Sequence, residues 1–69
     1  MNFVICIKND EYQASLEKGK VYKVLRDEQA IQHDLIRVVD ESGESYLYPS
    51  HYFVPIKLPK AAEAALALQ

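Results

Sequence analysis

The sequence predicts a mainly β protein, a small five-stranded barrel followed by a short C-terminal helix. Five short runs of β-branched and aromatic residues are separated by polar segments, as in small all-β domains. Gly19 stands in a turn before the second run, and a tight 3₁₀ turn is predicted before the last one. After Pro59 the composition changes to alanine and leucine, which favour a helix.

The chain length of 69 residues allows one domain, with the barrel over residues 1–58 and a short helix or frayed tail over residues 59–69. A chain this short buries only about 60% of the surface that its unfolded form exposes. Its stability margin is therefore thin, and little of it is left to hold a deep, strained active site.

The residue composition predicts a cytoplasmic protein without membrane contact. The longest apolar run, residues 3–7, is too short to cross a bilayer or to form the core of a secretion signal. Cys6 is the single cysteine, so an internal disulfide is excluded, whereas small secreted domains usually carry several.

The predicted strands cover residues 3–7, 21–25, 35–39, 45–48 and 53–56. The first is apolar at every position, which indicates a strand that is covered on both faces. In the second, Tyr22 and Val24 share one face while Lys23 points the other way. The last contains Pro55, which cannot donate to a ladder and therefore favours an edge position.

The turns between these strands carry recognisable signals. Gly19 and Gly43 are predicted to adopt positive φ, Gly43 within the hairpin turn 40–44. Asp27 is placed to cap a single helical turn, with an irregular loop as the alternative. Pro49 ends the fourth strand, and residues 50–52 are predicted to form the 3₁₀ turn.

The predicted C-terminal helix covers residues 60–69, with Pro59 in its first turn. Ten residues are too few for a helix that is stable alone, so it must dock on the barrel or fray. Leu66, with Ala62 one turn before it, is the predicted docking stripe.

Two segments resemble SH3 domains. Residues 19–25, Gly-Lys-Val-Tyr-Lys-Val-Leu, resemble the strand after the long RT loop of that family, and residues 48–56 resemble its closing stretch, with His51 in place of an asparagine. The chain also resembles short bacterial proteins of unknown function that share Asp-x-Ser-Gly-Glu-x-Tyr-Leu-Tyr-Pro, which residues 40–49 match throughout. The resemblance covers residues 3–59 and implies an SH3-like barrel.

The resemblance to SH3 domains also implies a binding site. That family binds proline-rich peptides on a floor of aromatic side chains that includes a tryptophan. This chain has no tryptophan and lacks the family's Ala-Leu-Tyr-Asp-Tyr segment. Pro49 and Tyr52 match the family's ligand surface, and Tyr12 is a third member if its loop folds back. We expect the Tyr52 ring to lie on the surface against Pro49.

The sequence contains no pattern that predicts catalysis. Cys6 lies inside an apolar strand, where burial works against the thiolate. His33 and His51 are too few for a metal site, and the acids of the turn 40–44 are typical of solvated turn caps. We therefore expect no enzyme activity, no cofactor and no metal.

The leading functional hypothesis is a non-catalytic module that binds a protein or peptide, as a monomer or weak homodimer. The exposed contacts are expected from tyrosines, a residue type favoured at interfaces: Tyr12, Tyr46 and Tyr52. The alternative is a nucleic-acid-binding barrel, which the formal net charge of −2 ranks second. An accessory subunit of a larger complex is a third possibility. The nucleic-acid alternative would use Lys18, Lys20, Lys23 and Arg26, with Tyr12 for base stacking.

Overall fold

The computed structural model describes residues 2–67, and their side chains as far as Ala65. Five antiparallel strands form one sheet, and two short helices and a 3₁₀ turn connect or follow them, so the mainly β class is confirmed. The strands are β1 (Asn2–Cys6), β2 (Val21–Leu25), β3 (Leu35–Val39), β4 (Ser45–Pro49) and β5 (Phe53–Ile56). The helices are α1 (Glu28–Gln32) and α2 (Lys60–Ala67), and the 3₁₀ turn is Ser50–Tyr52.

The strand order in the sheet is β4-β3-β2-β1-β5, so that β5 returns to pair with β1. The two edge strands, β4 and β5, are joined in sequence by the 3₁₀ turn. Within residues 2–67 no ladder connects β4 to β5, so hydrogen bonds do not close the sheet. The closed, SH3-like form of the barrel stays a prediction.

The strand limits follow the predicted ones closely. The second, third and fifth strands have the predicted limits, and β4 includes Pro49 as its last residue. β1 lies one residue earlier than predicted, because Ile7 already belongs to the following loop and is 53% exposed. Its N–H still bonds the carbonyl of Tyr52, at 2.8 Å.

The hydrophobic core lies against one face of the sheet. Alternate residues of each strand point to it, as the two-residue period of a strand requires. Leu16, which comes from the loop 7–20, is 1% exposed and packs against the core residues on this face. The core consists of Val4, Cys6, Leu16, Tyr22, Val38, Tyr48, Tyr52 and Phe53.

The loop 7–20 folds back over the core because its backbone groups find partners there. Gly19 N–H bonds the carbonyl of Cys6 at 2.7 Å, and Leu16 N–H bonds that of Tyr12 at 2.8 Å. Gly19 has the predicted positive φ, 84°, a conformation that glycine adopts without strain. The loop is thereby held in a position that buries Leu16.

The helix α1 confirms the helical alternative for the segment after β2. Oδ1 of Asp27 accepts a hydrogen bond from the N–H of Ala30 at 3.0 Å, which is the expected N-cap geometry. Oδ2 of Asp27 accepts another from Nε of Arg37 in β3, at 2.9 Å. These two bonds lower the pKa of Asp27 and fix α1 beside the sheet.

The helix α2 begins at the predicted residue, Lys60, but Pro59 is not part of its first turn. Pro59 stands just before it, since its carbonyl accepts the first helical bond, from Glu63 N–H at 2.9 Å. Ala62 of the predicted docking stripe is half-buried, while the side chain of Leu66 and residues 68–69 lie outside the described residues. Neither helix within residues 2–67 is long and apolar enough to cross a membrane.

Candidate functional site

The structure brings two of the three predicted binding residues together. The rings of Tyr12 and Tyr52 meet edge to face with their centroids 6.0 Å apart, so the loop of Tyr12 does fold back. Tyr12 also meets the Tyr48 ring, at 5.0 Å. Pro49, the third predicted residue, is half-buried at the end of β4.

Tyr52 is a core residue, so the prediction that its ring lies on the surface is wrong. It is 8% exposed and belongs to the hydrophobic core. Its hydroxyl donates to the carbonyl of Asp10 at 3.2 Å. The loop 7–20 covers the ring, and this contact across the chain has no local signature in the sequence. The Tyr52 ring is therefore not available as a surface contact for a ligand.

The rim of this tyrosine cluster (Tyr12, Tyr48 and Tyr52) is also occupied. The His51 ring meets the Tyr52 ring edge to face at 4.9 Å. The ammonium group of Lys8 stands 5.6 Å from the centroid of the same ring and 3.5 Å from a carboxylate oxygen of Asp10. His51 and Lys8 thus contact the tyrosine cluster itself.

The carboxylate of Asp40 is buried beside Tyr48. Its Oδ2 accepts a bond from the Tyr48 hydroxyl at 2.5 Å, and its Oδ1 accepts one from Ser42 N–H at 2.8 Å. Burial raises the pKa of Asp40, but the bonds from Ser42 and Tyr48 outweigh it and the pKa is lowered. Burial and the neighbouring carboxylate raise the pKa of Tyr48 to about 12.

Glu41 holds a second tyrosine in the same way. The Tyr22 hydroxyl donates to Oε2 of Glu41 at 2.7 Å and accepts from Glu17 N–H at 2.8 Å. Nζ of Lys20 bonds Oε1 of Glu41 at 2.7 Å. The bonds from Lys20 and Tyr22 lower the pKa of Glu41. The acidic residues 40 and 41 thus anchor the fold, and among residues 2–67 no three acidic, histidine or cysteine side chains form a metal site.

Cys6 and the two histidines do not form a reactive site. Cys6 is 1% exposed, and its thiol donates to the carbonyl of Lys8 at 3.2 Å. Burial raises the pKa of this thiol, so the nucleophilic thiolate is disfavoured. His33 ends α1 and His51 lies in the 3₁₀ turn. Both are exposed, and the bond from Ser50 N–H to the Asp34 carbonyl at 3.0 Å joins their two segments.

Two of the four cations expected to line a nucleic-acid surface are paired with carboxylates. Lys20 is paired with Glu41, and Nη2 of Arg26 lies 2.8 Å from Oε1 of Glu28. Tyr12, the residue expected to stack on bases, is held in the tyrosine cluster. The structure therefore adds no observation that favours nucleic-acid binding.

The outer face of the sheet, turned away from the core, is a feature that the sequence reasoning missed. Residues directly opposite across a ladder share a face, so the register assigns them. Lys23 lies opposite both Phe3 and Val39, and Arg37 lies opposite both Leu25 and Leu47. The outer face comprises Phe3, Ile5, Val21, Lys23, Leu25, Leu35, Arg37, Val39, Ser45, Leu47, Pro49, Val54 and Ile56.

This outer face is mostly apolar. Antiparallel sheets that have one solvated face normally alternate between apolar inward and polar outward residues. Here Leu25, Leu47 and Val54 are 39%, 41% and 42% exposed. The sequence already indicated an apolar outer face, because the outward-facing residues at both ends of β2 and β3 are aliphatic: Val21, Leu25, Leu35 and Val39.

The two cations of the outer face differ in their partners. Nε of Arg37 bonds Asp27 at 2.9 Å. Lys23 is half-buried, and no carboxylate within residues 2–67 lies within 4 Å of its ammonium group. Beside Lys23 is a shallow cavity of about 270 Å³ with a mixed lining, which includes the apolar Phe3 and Val39 and the charged Lys20, Asp40 and Glu41. Phe3 also lines a wider groove, of about 760 Å³, that reaches the start of α2.

Searches against family models, curated proteins and solved structures returned no match, so the resemblance to SH3 domains and to short bacterial proteins stays a prediction from the motifs alone.

Proposed function

We propose that this protein is a non-catalytic module that binds another protein on the outer face of its sheet. The observation that carries the proposal is the exposure of Leu25, Leu47 and Val54 on that face, at about two fifths of each residue. Leu25 and Leu47 flank Arg37 in one row across β2, β3 and β4, and Val54 lies on the same face in a row with Ile5 and Val21. Exposed apolar patches of this kind mark interaction surfaces.

Lys23 indicates the chemistry of the partner. Lys23 is half-buried beside Phe3, Val21 and Val39, and within residues 2–67 its ammonium group has no carboxylate within 4 Å. A partner that presents an aspartate or glutamate within an apolar surface would supply Lys23 with a carboxylate. We therefore expect a partner surface that is apolar with an acidic residue near its centre.

The buried groups support a binding role without catalysis. Asp40 and Glu41 hold tyrosine hydroxyls, and the Cys6 thiol is buried with a raised pKa. A lone buried thiol suits a reducing compartment, so the proposal keeps the cytoplasm as the place of binding.

The test is a capture experiment with matched variants. Wild-type protein is immobilised, a partner is captured from cells of the native source, and its retention is compared on Leu25→Asp and Ile31→Asp. Ile31 is 65% exposed on α1 and lies outside the outer face, so it is the matched control. We expect at least tenfold weaker binding to Leu25→Asp only, a change of about 1.4 kcal/mol. Equal retention on both variants would contradict the proposal.

A further inference from the structure

The two edges of the sheet offer different numbers of free backbone donors. The bond from Ile7 N–H to the Tyr52 carbonyl makes residues 7 and 52 a hydrogen-bonded pair at the end of the β1–β5 ladder. Hydrogen-bonded pairs alternate with non-hydrogen-bonded pairs along an antiparallel ladder, so the backbone groups of residues 53 and 55 point away from β1. The N–H of Phe53 already bonds the carbonyl of Ser50, and Pro55 has no N–H. The β5 edge is therefore blocked.

The β4 edge is open by the same reasoning. The bond from Asp40 N–H to the Glu44 carbonyl and the bond from Ser50 N–H to the Asp34 carbonyl lie at the two ends of the β3–β4 ladder, at 3.1 and 3.0 Å. Because hydrogen-bonded and non-hydrogen-bonded pairs alternate between these two ends, the backbone groups of residues 46 and 48 bond β3. The N–H groups of Ser45 and Leu47 consequently point away from the sheet.

The β4 edge also lacks the devices that usually prevent strands from pairing. Natural edge strands carry charged residues, bulges or internal prolines. β4 has no charged residue, its register with β3 is unbroken, and its proline is the last residue. Tyr46 on one side and Leu47 on the other are 50% and 41% exposed.

We propose that β4 pairs antiparallel with β4 of a second copy, about a two-fold axis at Leu47. In this register the N–H of each Leu47 donates to the Leu47 carbonyl of the other copy. The N–H of each Ser45 donates to the carbonyl of Pro49, and the ladder ends there because Pro49 has no N–H. Four new hydrogen bonds would join two five-stranded sheets into one of ten strands.

A second copy fits this edge because β4 is self-complementary. Two uncharged strands meet, so no like charges oppose each other along the pair. The outer-face row Leu25, Arg37, Leu47 continues into Leu47 of the second copy, so the two leucines would pack side by side and the outer face would extend across the axis. The contact is a single pair of strands, so we expect a weak dimer. This inference concerns the edge and does not rest on the proposed function of the outer face.

Sedimentation equilibrium on the full chain tests the dimer, from about 10 µM to about 1 mM, the range of weak contacts. The wild-type mass should rise with concentration from 7.9 kDa towards twice that value. Leu47→Lys should stay monomeric, because it brings two ammonium groups together at the axis. Val54→Lys is the matched control, since Val54 has nearly the same exposure on the blocked edge. A wild-type monomer throughout, or equal loss in both variants, would overturn the proposal.

Amide hydrogen exchange identifies the edge independently. The amides of Ser45 and Leu47 should exchange at least tenfold more slowly at high concentration, while those of Tyr46 and Tyr48 are protected at every concentration. A mass that doubles without any change at Ser45 and Leu47 would show that the copies meet elsewhere, and would overturn the β4 register.

Discussion

The hydroxyl of Tyr48 donates a 2.5 Å hydrogen bond to Oδ2 of Asp40, joining the end of β4 to the turn that precedes it. Tyr48 is 3% exposed and Asp40 is 6% exposed, so the bond is removed from solvent. Oγ of Ser15 lies 2.9 Å from the same hydroxyl, which connects the loop 7–20 to this pair. The hairpin turn and the loop are thus held by one buried hydroxyl.

Tyr48→Phe should destabilise the protein by about 1–3 kcal/mol, because it leaves a buried carboxylate without one of its donors. Urea unfolding followed by circular dichroism measures the change. Tyr46→Phe is the control, since the Tyr46 hydroxyl bonds Glu44 at an exposed site and should change stability by less than about 0.5 kcal/mol. Equal effects of the two variants would show that burial of the Tyr48 bond has no energetic consequence.

The same tyrosine predicts a loss of stability in alkali. Its pKa is raised from 10.0 to about 12 in the folded state, so folding favours the protonated hydroxyl. The stabilisation is complete below pH 10 and is lost as the pH rises towards 12, by an amount on the order of 2 kcal/mol. Tyr22 is shifted in the same direction.

Urea unfolding at a series of alkaline pH values measures this loss, and Tyr48→Phe should lose less stability than wild type over the same interval. Wild-type stability that stays constant between pH 10 and pH 12 would be incompatible with the buried hydroxyl.

Tyr52→Ala should destabilise the protein by about 3 kcal/mol or more, because it opens a cavity beneath the loop 7–20. Val54→Ala should cost less than about 0.5 kcal/mol, since Val54 is 42% exposed on the outer face. This differs from the expectation from the sequence, in which Tyr52 was a surface residue. Thermal unfolding of both variants decides the point, and a stable Tyr52→Ala protein would restore the surface assignment.

Gly43→Val should cost more than about 1 kcal/mol, through backbone strain alone. Gly43 has a φ of 83°, and a Cβ at this position would meet no heavy atom within 4 Å. Gly43→Asn should cost less, because asparagine tolerates the left-handed conformation better than a β-branched residue does. Thermal unfolding compares the two, and equal costs would point to a cause other than φ.

Local signals in the sequence were sufficient for most of the fold. The period of the apolar residues, the prolines and the two turn glycines predicted the strands because each acts over a few residues. The N-cap at Asp27 is also a local signal. Of the two alternatives for this segment, a helical turn and an irregular loop, the structure has the helical turn. Burial of Tyr52 was missed because it depends on a bond to Asp10, 42 residues away in the chain.

The candidate site was harder to predict for the same reason. Which face of a strand turns outward depends on the register with its neighbours, and the outward row formed by Leu25, Arg37 and Leu47 comes from three different strands. The resemblance to SH3 domains directed attention to the tyrosines instead. Their hydroxyls and rings are used within the fold.

The docking of a partner on the outer face is tested most directly by methyl nuclear magnetic resonance of the labelled protein, titrated with the captured partner. The methyl signals of Leu25, Leu47 and Val54 should shift or broaden, while those of Ile31 on α1 and of Leu16 in the core stay in place. Changes confined to the rings of Tyr12 and His51, with the outer-face methyl signals unmoved, would place the partner on the tyrosine cluster and contradict the proposal.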